Sequence, residues 1–128
     1  MEDFIVNIFT NLPVIPCDLA SLIEAQPHTV ASKKLADHPS VEMTLFAFAE
    51  GEGVSELVYF GDTMYLVLEG EMKIDKDGQL FTLKKGESVS IPSGTLHAIK
   101  EGGDFKMLQL TISKNMEGYC NGCTYEKY

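Results

Sequence analysis

The stretch GESVSIPSGTLHAIK, residues 86–100, carries the turn residues that decide the fold. Gly86 is placed to turn the chain after an apolar run, and Pro92 is placed at a strand end, where its missing N–H does no harm. Gly94 allows a tight reversal of the chain. His97 then lies on the following strand among apolar neighbours. The stretch therefore predicts a strand, a turn and a second strand with one imidazole on its apolar face.

Short apolar runs separated by turn residues extend on both sides of this stretch. They occupy residues 41–49, 54–60, 63–70, 71–75, 79–83, 88–92, 95–100 and 105–112. The sequence DKDG between two of these runs is typical of a hairpin turn. Recurrence of strands about every ten residues predicts an antiparallel sandwich or barrel, and no helical segments separate them as a parallel α/β sheet would need. The predicted fold class is all-β.

The first 40 residues carry a different signal. Residues 18–25, DLASLIEA, have apolar positions at helical spacing after a capping Asp18, and Pro27 ends the pattern. We expect one domain with three parts: an N-terminal arm with one short helix at 1–40, a barrel at 41–113 and a C-terminal tail at 114–128.

The run TMYLVLEG is apolar on both faces, which is unusual for a half-buried strand. One face carries Thr63, Tyr65 and Val67, and the other carries Met64, Leu66 and Leu68. Such a strand needs cover on both sides. Either the N-terminal segment or a second subunit supplies the outer cover, and from the second alternative we predict a homodimer.

Charge and composition exclude several classes of function. The net charge is −9, and the ten lysines and arginines are scattered, so we expect no binding to nucleic acid or to an anionic membrane. We find no apolar run of about 18 residues that would span a bilayer. The N-terminus lacks the basic and apolar regions of an export signal, and the cysteine count is odd, at three. A cytoplasmic protein with free thiols is therefore expected.

Residues 86–97 match every fixed position of the pattern G-x5-P-x-G-x2-H, and the sequence resembles the cupin superfamily on this basis. The full second cupin motif ends in Asn, where this chain has Glu101. The first motif, G-x5-H-x-H-x3,4-E-x6-G, keeps its glycines at Gly51 and Gly70. The resemblance spans residues 41–112. It implies a jelly-roll barrel, also called a double-stranded β-helix, which is commonly dimeric and places metal or ligand in the barrel mouth.

The metal positions that the resemblance implies are occupied here by Leu57, Tyr59, Thr63 and His97. Leucine offers no donor, threonine is a poor ligand, and tyrosine would have to ionise from a pKa of about 10. Histidine and carboxylate are the ligands that Fe, Mn, Ni or Zn would need. The metal site is therefore degenerate and no cofactor is expected, with a divalent transition metal anchored at His97 as the alternative.

The barrel interior is the predicted ligand pocket. Its lining residues are expected to be Leu57, Tyr59, Thr63, Tyr65, Val67, His97 and Ile99. Apolar walls with a few polar groups are typical of a small-molecule site, although a small barrel can also be packed solid. The leading hypothesis is a protein that binds a small molecule without metal. The alternative is a metal-dependent enzyme, an isomerase, lyase or oxygenase, that acts on a small metabolite at His97. Whether any reaction is catalysed stays open.

The tail contains a CxxC pair, Cys120 and Cys123. Such a pair can form half of a zinc site or a redox dithiol. The intervening Asn-Gly also suits a plain turn with two idle thiols. These alternatives stay open.

Overall fold

The structure, a computed structural model, describes residues 7–113. Within that range the chain forms one 3-10 helix at Leu19–Leu22 and nine β-strands. The strands are β1 Val30–His38, β2 Val41–Phe48, β3 Val54–Leu57, β4 Asp62–Glu69, β5 Glu71–Lys76, β6 Gln79–Lys84, β7 Ser88–Ile91, β8 His97–Lys100 and β9 Phe105–Ile112.

The strands form two antiparallel sheets. One has five strands in the order β1-β2-β9-β4-β7, and the other has four in the order β3-β8-β5-β6. Inward-facing side chains from both sheets make one apolar cluster between them. The predicted all-β jelly roll is confirmed. Within residues 7–113, no helix is both long and apolar enough to cross a membrane.

Strand β1 lies in the segment that the sequence assigned to an arm. It pairs along its length with β2 and adds a fifth strand to the larger sheet. A register shift between Lys34 and Ala36 leaves Leu35 and Ala36 buried as consecutive residues. Because this bulge interrupts the alternation of buried and exposed positions, the strand pattern is hidden in the sequence.

The short helix was predicted over residues 18–25. The structure has only a single 3-10 turn there, which ends before residue 25. The Asp18 carboxylate accepts a hydrogen bond from the amide of Ala20, at 3.2 Å, so the predicted cap is present. The turn ends because Ile23 is already extended. The ammonium of Lys33 donates to the carbonyl of Leu22, at 3.1 Å, and so satisfies one of the groups that the helix end leaves open.

The N-terminal segment covers the outer face of the five-stranded sheet. A second apolar cluster, the outer layer, has Ile23, Leu35, Leu45, Ala47 and Leu108 at its centre. Leu66 and Leu68 of β4 pack against it, together with Leu12, Leu19 and Leu22. The chain itself therefore supplies cover for the outward side of β4. The homodimer stays a prediction.

One end of the barrel interior is entirely apolar. We call it the apolar end and define it by Phe48, Val67, Met72, Leu83 and Phe105, which are all buried. The rings of Phe48 and Phe105 stack with centroids 4.6 Å apart. Gly70 connects β4 to β5 beside this stack with φ of +76°, and a Cβ there would lie 2.5 Å from the carbonyl oxygen of Asp104. Only glycine fits this position without displacing the backbone opposite.

Candidate functional site

The turn before β8 places His97 inside the barrel. Gly94 adopts φ of +80°, and its amide donates to the carbonyl of Tyr59 at 2.8 Å. This bond ties the turn to the segment that follows β3, and Leu57 of β3 pairs directly with His97. The imidazole is 3% exposed. The predicted strand, turn and inward histidine are therefore all present.

Both nitrogens of His97 have partners inside the protein. Nδ1 lies 2.9 Å from the carbonyl oxygen of Thr95, which can only accept, so Nδ1 carries the hydrogen. In the neutral ring Nε2 is then the acceptor, and the Tyr65 hydroxyl donates to it at 2.8 Å. The lone pair that a metal would need is engaged with a phenol.

Two phenols extend this polar group toward solvent. Burial raises the pKa of the Tyr65 phenol, and the nearby Tyr59 phenol adds to the rise. Burial also raises the pKa of Tyr59, and the nearby negative charge of Glu42 adds to the rise. Both phenols therefore keep their protons near neutral pH. Tyr59 is partly exposed whereas Tyr65 is fully buried, so Tyr59 connects the buried pair to the surface.

A second buried polar chain runs across the larger sheet. The Gln109 amide nitrogen donates to the hydroxyl of Thr111 at 2.5 Å, and the hydroxyls of Thr111 and Thr63 lie 2.7 Å apart. The Thr63 hydroxyl donates to the carbonyl of Gly61 at 3.3 Å. The hydrogen bonds therefore all run in one direction, from Gln109 through Thr111 and Thr63 to the Gly61 carbonyl. With Tyr65 and His97, the residues Thr63, Gln109 and Thr111 define what we call the polar end of the barrel.

The amide oxygen of Gln109 has no hydrogen-bond partner among residues 7–113, although the side chain is fully buried. Reversing the amide would place its oxygen against the Thr111 hydroxyl, whose proton is directed to Thr63, so the oxygen would lack a donor in that orientation too. A buried unpaired acceptor costs about 1–3 kcal/mol. Gln109 was not among the site residues predicted from the sequence. The available signal was its place in FKMLQLTI, on the same face as Met107 and Thr111.

The structure brings the predicted pocket residues into the same interior, at different depths. Thr63, Tyr65 and His97 lie at the polar end, and all three are buried. Val67 and Ile99 belong to the apolar cluster, and Leu57 and Tyr59 are partly buried against it. That these seven residues line a ligand pocket stays a prediction.

The donors at the metal positions do not fit a divalent transition metal. Leu57 has no donor atom, the Thr63 hydroxyl is bonded to Thr111 and Gly61, and His97 Nε2 accepts from Tyr65. No group of three or more His, Cys, Asp or Glu side chains lies close together in the part of the chain that the structure describes. Metal chemistry at this site would require displacement of the Tyr65 phenol.

The carboxylates near these positions in sequence lie elsewhere. Glu56 is exposed, and Glu101 is exposed beyond the end of β8, so it does not share the inward face of His97. The Asp62 carboxylate accepts from the amide of Ser93 at 3.0 Å and thereby supports the turn before β8. Cys120 and Cys123 lie outside the described residues.

The sequence pattern of the cupin domain matches residues 44–113, more than half of the chain, in which β2 to β9 enclose the interior. This chain therefore belongs to the cupin superfamily. Among curated proteins, no sequence matches it.

Solved structures with the same fold include close and distant relatives. A cupin superfamily protein from Desulfitobacterium hafniense is 47% identical with a TM-score of 0.79, over 83% of this chain and 98% of that one. A cupin 2 conserved barrel domain protein from Leptotrichia buccalis is 37% identical with a TM-score of 0.71, over 73% of this chain and 46% of that one. A salicylate 1,2-dioxygenase from Pseudaminobacter salicylatoxidans is 18% identical with a TM-score of 0.59, over 65% and 26%. The last shares the fold alone.

Proposed function

We propose that this cupin binds a small organic molecule at the polar end of its barrel without a divalent metal. The observation that carries the proposal is the pairing of His97 Nε2 with the Tyr65 hydroxyl at 2.8 Å. This pairing places a phenol where a metal centre would need an open imidazole nitrogen. Such a pair can exchange hydrogen bonds with a ligand, which is the role of the few polar groups in a largely apolar site.

The charges around the site favour a neutral ligand over an anionic one. The phenols of Tyr59 and Tyr65 are held neutral by burial, and the Glu42 carboxylate lies close enough to Tyr59 to act on its pKa. The chain as a whole carries a net charge of −9. A carboxylate or phosphate ligand would meet repulsion and no lysine or arginine is among the residues that define the polar end.

Metal analysis and ligand binding together test this proposal. We expect purified protein to carry Fe, Mn, Ni and Zn at well below one atom per chain. Addition of a chelator should leave ligand-induced thermal stabilisation unchanged. Tyr65→Phe should weaken ligand binding, because the hydroxyl that pairs with His97 is lost while the ring is kept. Phe60→Ala serves as a matched control, since this aromatic side chain is 82% exposed.

One equivalent of metal that disappears in His97→Ala would contradict the proposal. That result would favour the alternative, a metal-dependent enzyme acting on a small metabolite at His97. The cupin family membership is compatible with either outcome, because one fold hosts many unrelated activities.

A further inference from the structure

We propose that Gln109 selects the ligand of the polar end by accepting a hydrogen bond from a hydroxyl or N–H group of that ligand. The inference rests on the proposed function and adds a specificity-determining residue to it. The observation behind it is the fully buried amide oxygen of Gln109, which has no partner among residues 7–113.

The Gln109 side chain is held in place by its neighbours. Its amide nitrogen donates to Thr111, and Thr111 is fixed in turn by the hydroxyl of Thr63. On the strands to either side, Thr44 and Tyr65 pair with Gln109 in register and flank it on the inward face. An acceptor anchored through its own amide group keeps one direction, and a preorganised acceptor of this kind loses little freedom when a ligand binds.

Three of the hydroxyls near Gln109, those of Thr63, Thr111 and Tyr65, are directed to other acceptors. The Thr63 hydroxyl donates to the Gly61 carbonyl, which leaves the proton of Thr111 for the oxygen of Thr63. The Tyr65 proton goes to His97. Because no group among residues 7–113 donates to the Gln109 oxygen, we expect a ligand to supply the donor. A ligand without such a donor would exclude water and leave the Gln109 oxygen unpaired. A buried polar group of this kind discriminates strongly between ligands that can pair with it and ligands that cannot.

The surroundings define the class of ligand. Leu57 and Ile99 supply apolar contact beside His97, and the nearby charge is the negative charge of Glu42. The matching molecule is small and neutral, with an apolar or aromatic body and one hydrogen-bond donor. Phenol has these properties, and anisole is the same molecule with the donor proton replaced by a methyl group.

Titration with phenol and with anisole, followed by NMR of isotope-labelled full-length protein, tests the assignment. We expect wild-type protein to bind phenol at least about tenfold more tightly than anisole, the effect of one hydrogen bond to a buried group. Gln109→Met keeps the length of the side chain but removes the acceptor, so the preference should disappear. Thr111→Ser keeps the hydroxyl that anchors Gln109 and should keep the preference.

The outcomes separate this inference from the proposed function. Equal binding of the two compounds by wild-type protein overturns the role of Gln109 and leaves metal-free binding intact. Binding of neither compound overturns the ligand class and the assignment with it. Binding only by protein that holds stoichiometric metal overturns the proposed function.

Thermal unfolding without any ligand gives an independent test. If the Gln109 oxygen is unpaired in the ligand-free protein, Gln109→Met should have a melting temperature at or above that of wild type, because the unpaired acceptor is removed. Thr111→Val should lower it, because Gln109 and Thr63 both lose a partner. A loss in Gln109→Met as large as that in Thr111→Val would show that Gln109 is already satisfied, as by an internal water, and would overturn the inference.

Discussion

The apolar and polar ends of the barrel are built from the same strands and differ in what those strands carry. Along β9 the inward residues change from Phe105 and Met107 at one end to Gln109 and Thr111 at the other. The apolar end is closed by stacked rings. Among residues 7–113, the polar end holds two series of hydrogen-bonded side chains and one unpaired acceptor. We therefore expect stability to be concentrated at the apolar end, and the polar end is the ligand site that we propose.

The largest expected effect is at the apolar end. Phe105→Ala removes a ring that is 2% exposed and stacks on Phe48, so it should lower the free energy of unfolding by about 3–5 kcal/mol. Urea unfolding followed by circular dichroism measures the change. Phe60→Ala is the control and should change stability by less than about 0.5 kcal/mol. A loss below about 1 kcal/mol for Phe105→Ala would show that the stack is not a stability centre.

Backbone space differs between the two ends as well. Gly70→Ala combines a positive φ with a contact of 2.5 Å to the Asp104 carbonyl, and we expect a loss of about 2–3 kcal/mol. Gly94→Ala has a similar φ but open space around the new methyl group, so its loss should be about 1 kcal/mol. Denaturant titration of both variants measures the difference. Equal losses would mean that conformational strain alone acts at both positions.

Removal of one hydroxyl should have a smaller effect at the polar end. Thr111→Val keeps the shape of the side chain but breaks the hydrogen bonds that link Gln109 to Thr63. We expect the free energy of unfolding to fall by about 1–2 kcal/mol. Thr111→Ser retains the hydroxyl and should recover much of that loss. Thermal unfolding measures both variants. If Ser and Val were equally destabilising, packing of the methyl group rather than hydrogen bonding would be the cause.

The smallest effect on stability is expected from ionisation of the tyrosines at alkaline pH. Burial raises the pKa of Tyr59 and Tyr65 above the value of about 10 for an unfolded chain. The stability that these neutral phenols contribute is therefore complete below about pH 10 and is lost as the pH rises toward the folded values. The free energy of unfolding of Tyr65→Phe should fall less steeply with pH in this range than that of wild type. Tyrosinate absorbance during the pH titration measures the ionisation of the tyrosines. Ionisation of Tyr65 before the protein unfolds would contradict the expectation.

The sequence was sufficient to predict the strands of the barrel because turn residues mark their ends. The predicted run at 105–112 coincides with β9, and those at 41–49 and 63–70 lie within one residue of β2 and β4. Glycine and proline impose local backbone conformations that do not depend on distant contacts. By contrast, β1 was missed because its bulge hides the alternation.

The site was harder to predict than the fold. The inward position of His97 follows from alternation along one strand, and the structure confirms it. Its partner Tyr65 is 32 residues away in sequence, and their hydrogen bond depends on how the two sheets face each other. The unpaired state of the Gln109 oxygen depends on which groups of the neighbouring strands come within hydrogen-bond distance of it. Such facts concern several strands at once, and no short motif contains them.

The pairing of β2 with β9 has a consequence for how the chain folds. The register of these strands places Val41 opposite Ile112 and Phe48 opposite Phe105, so the larger sheet cannot close until almost the whole barrel sequence is available. The ammonium of Lys106 then reaches back across 86 positions to the carbonyl of Ala20. Contacts of such long range slow folding, because the entropy of loop closure is lost before they form. During synthesis, β2 therefore stays without β9, and Phe48 without its stacking partner Phe105, until β9 has left the ribosome.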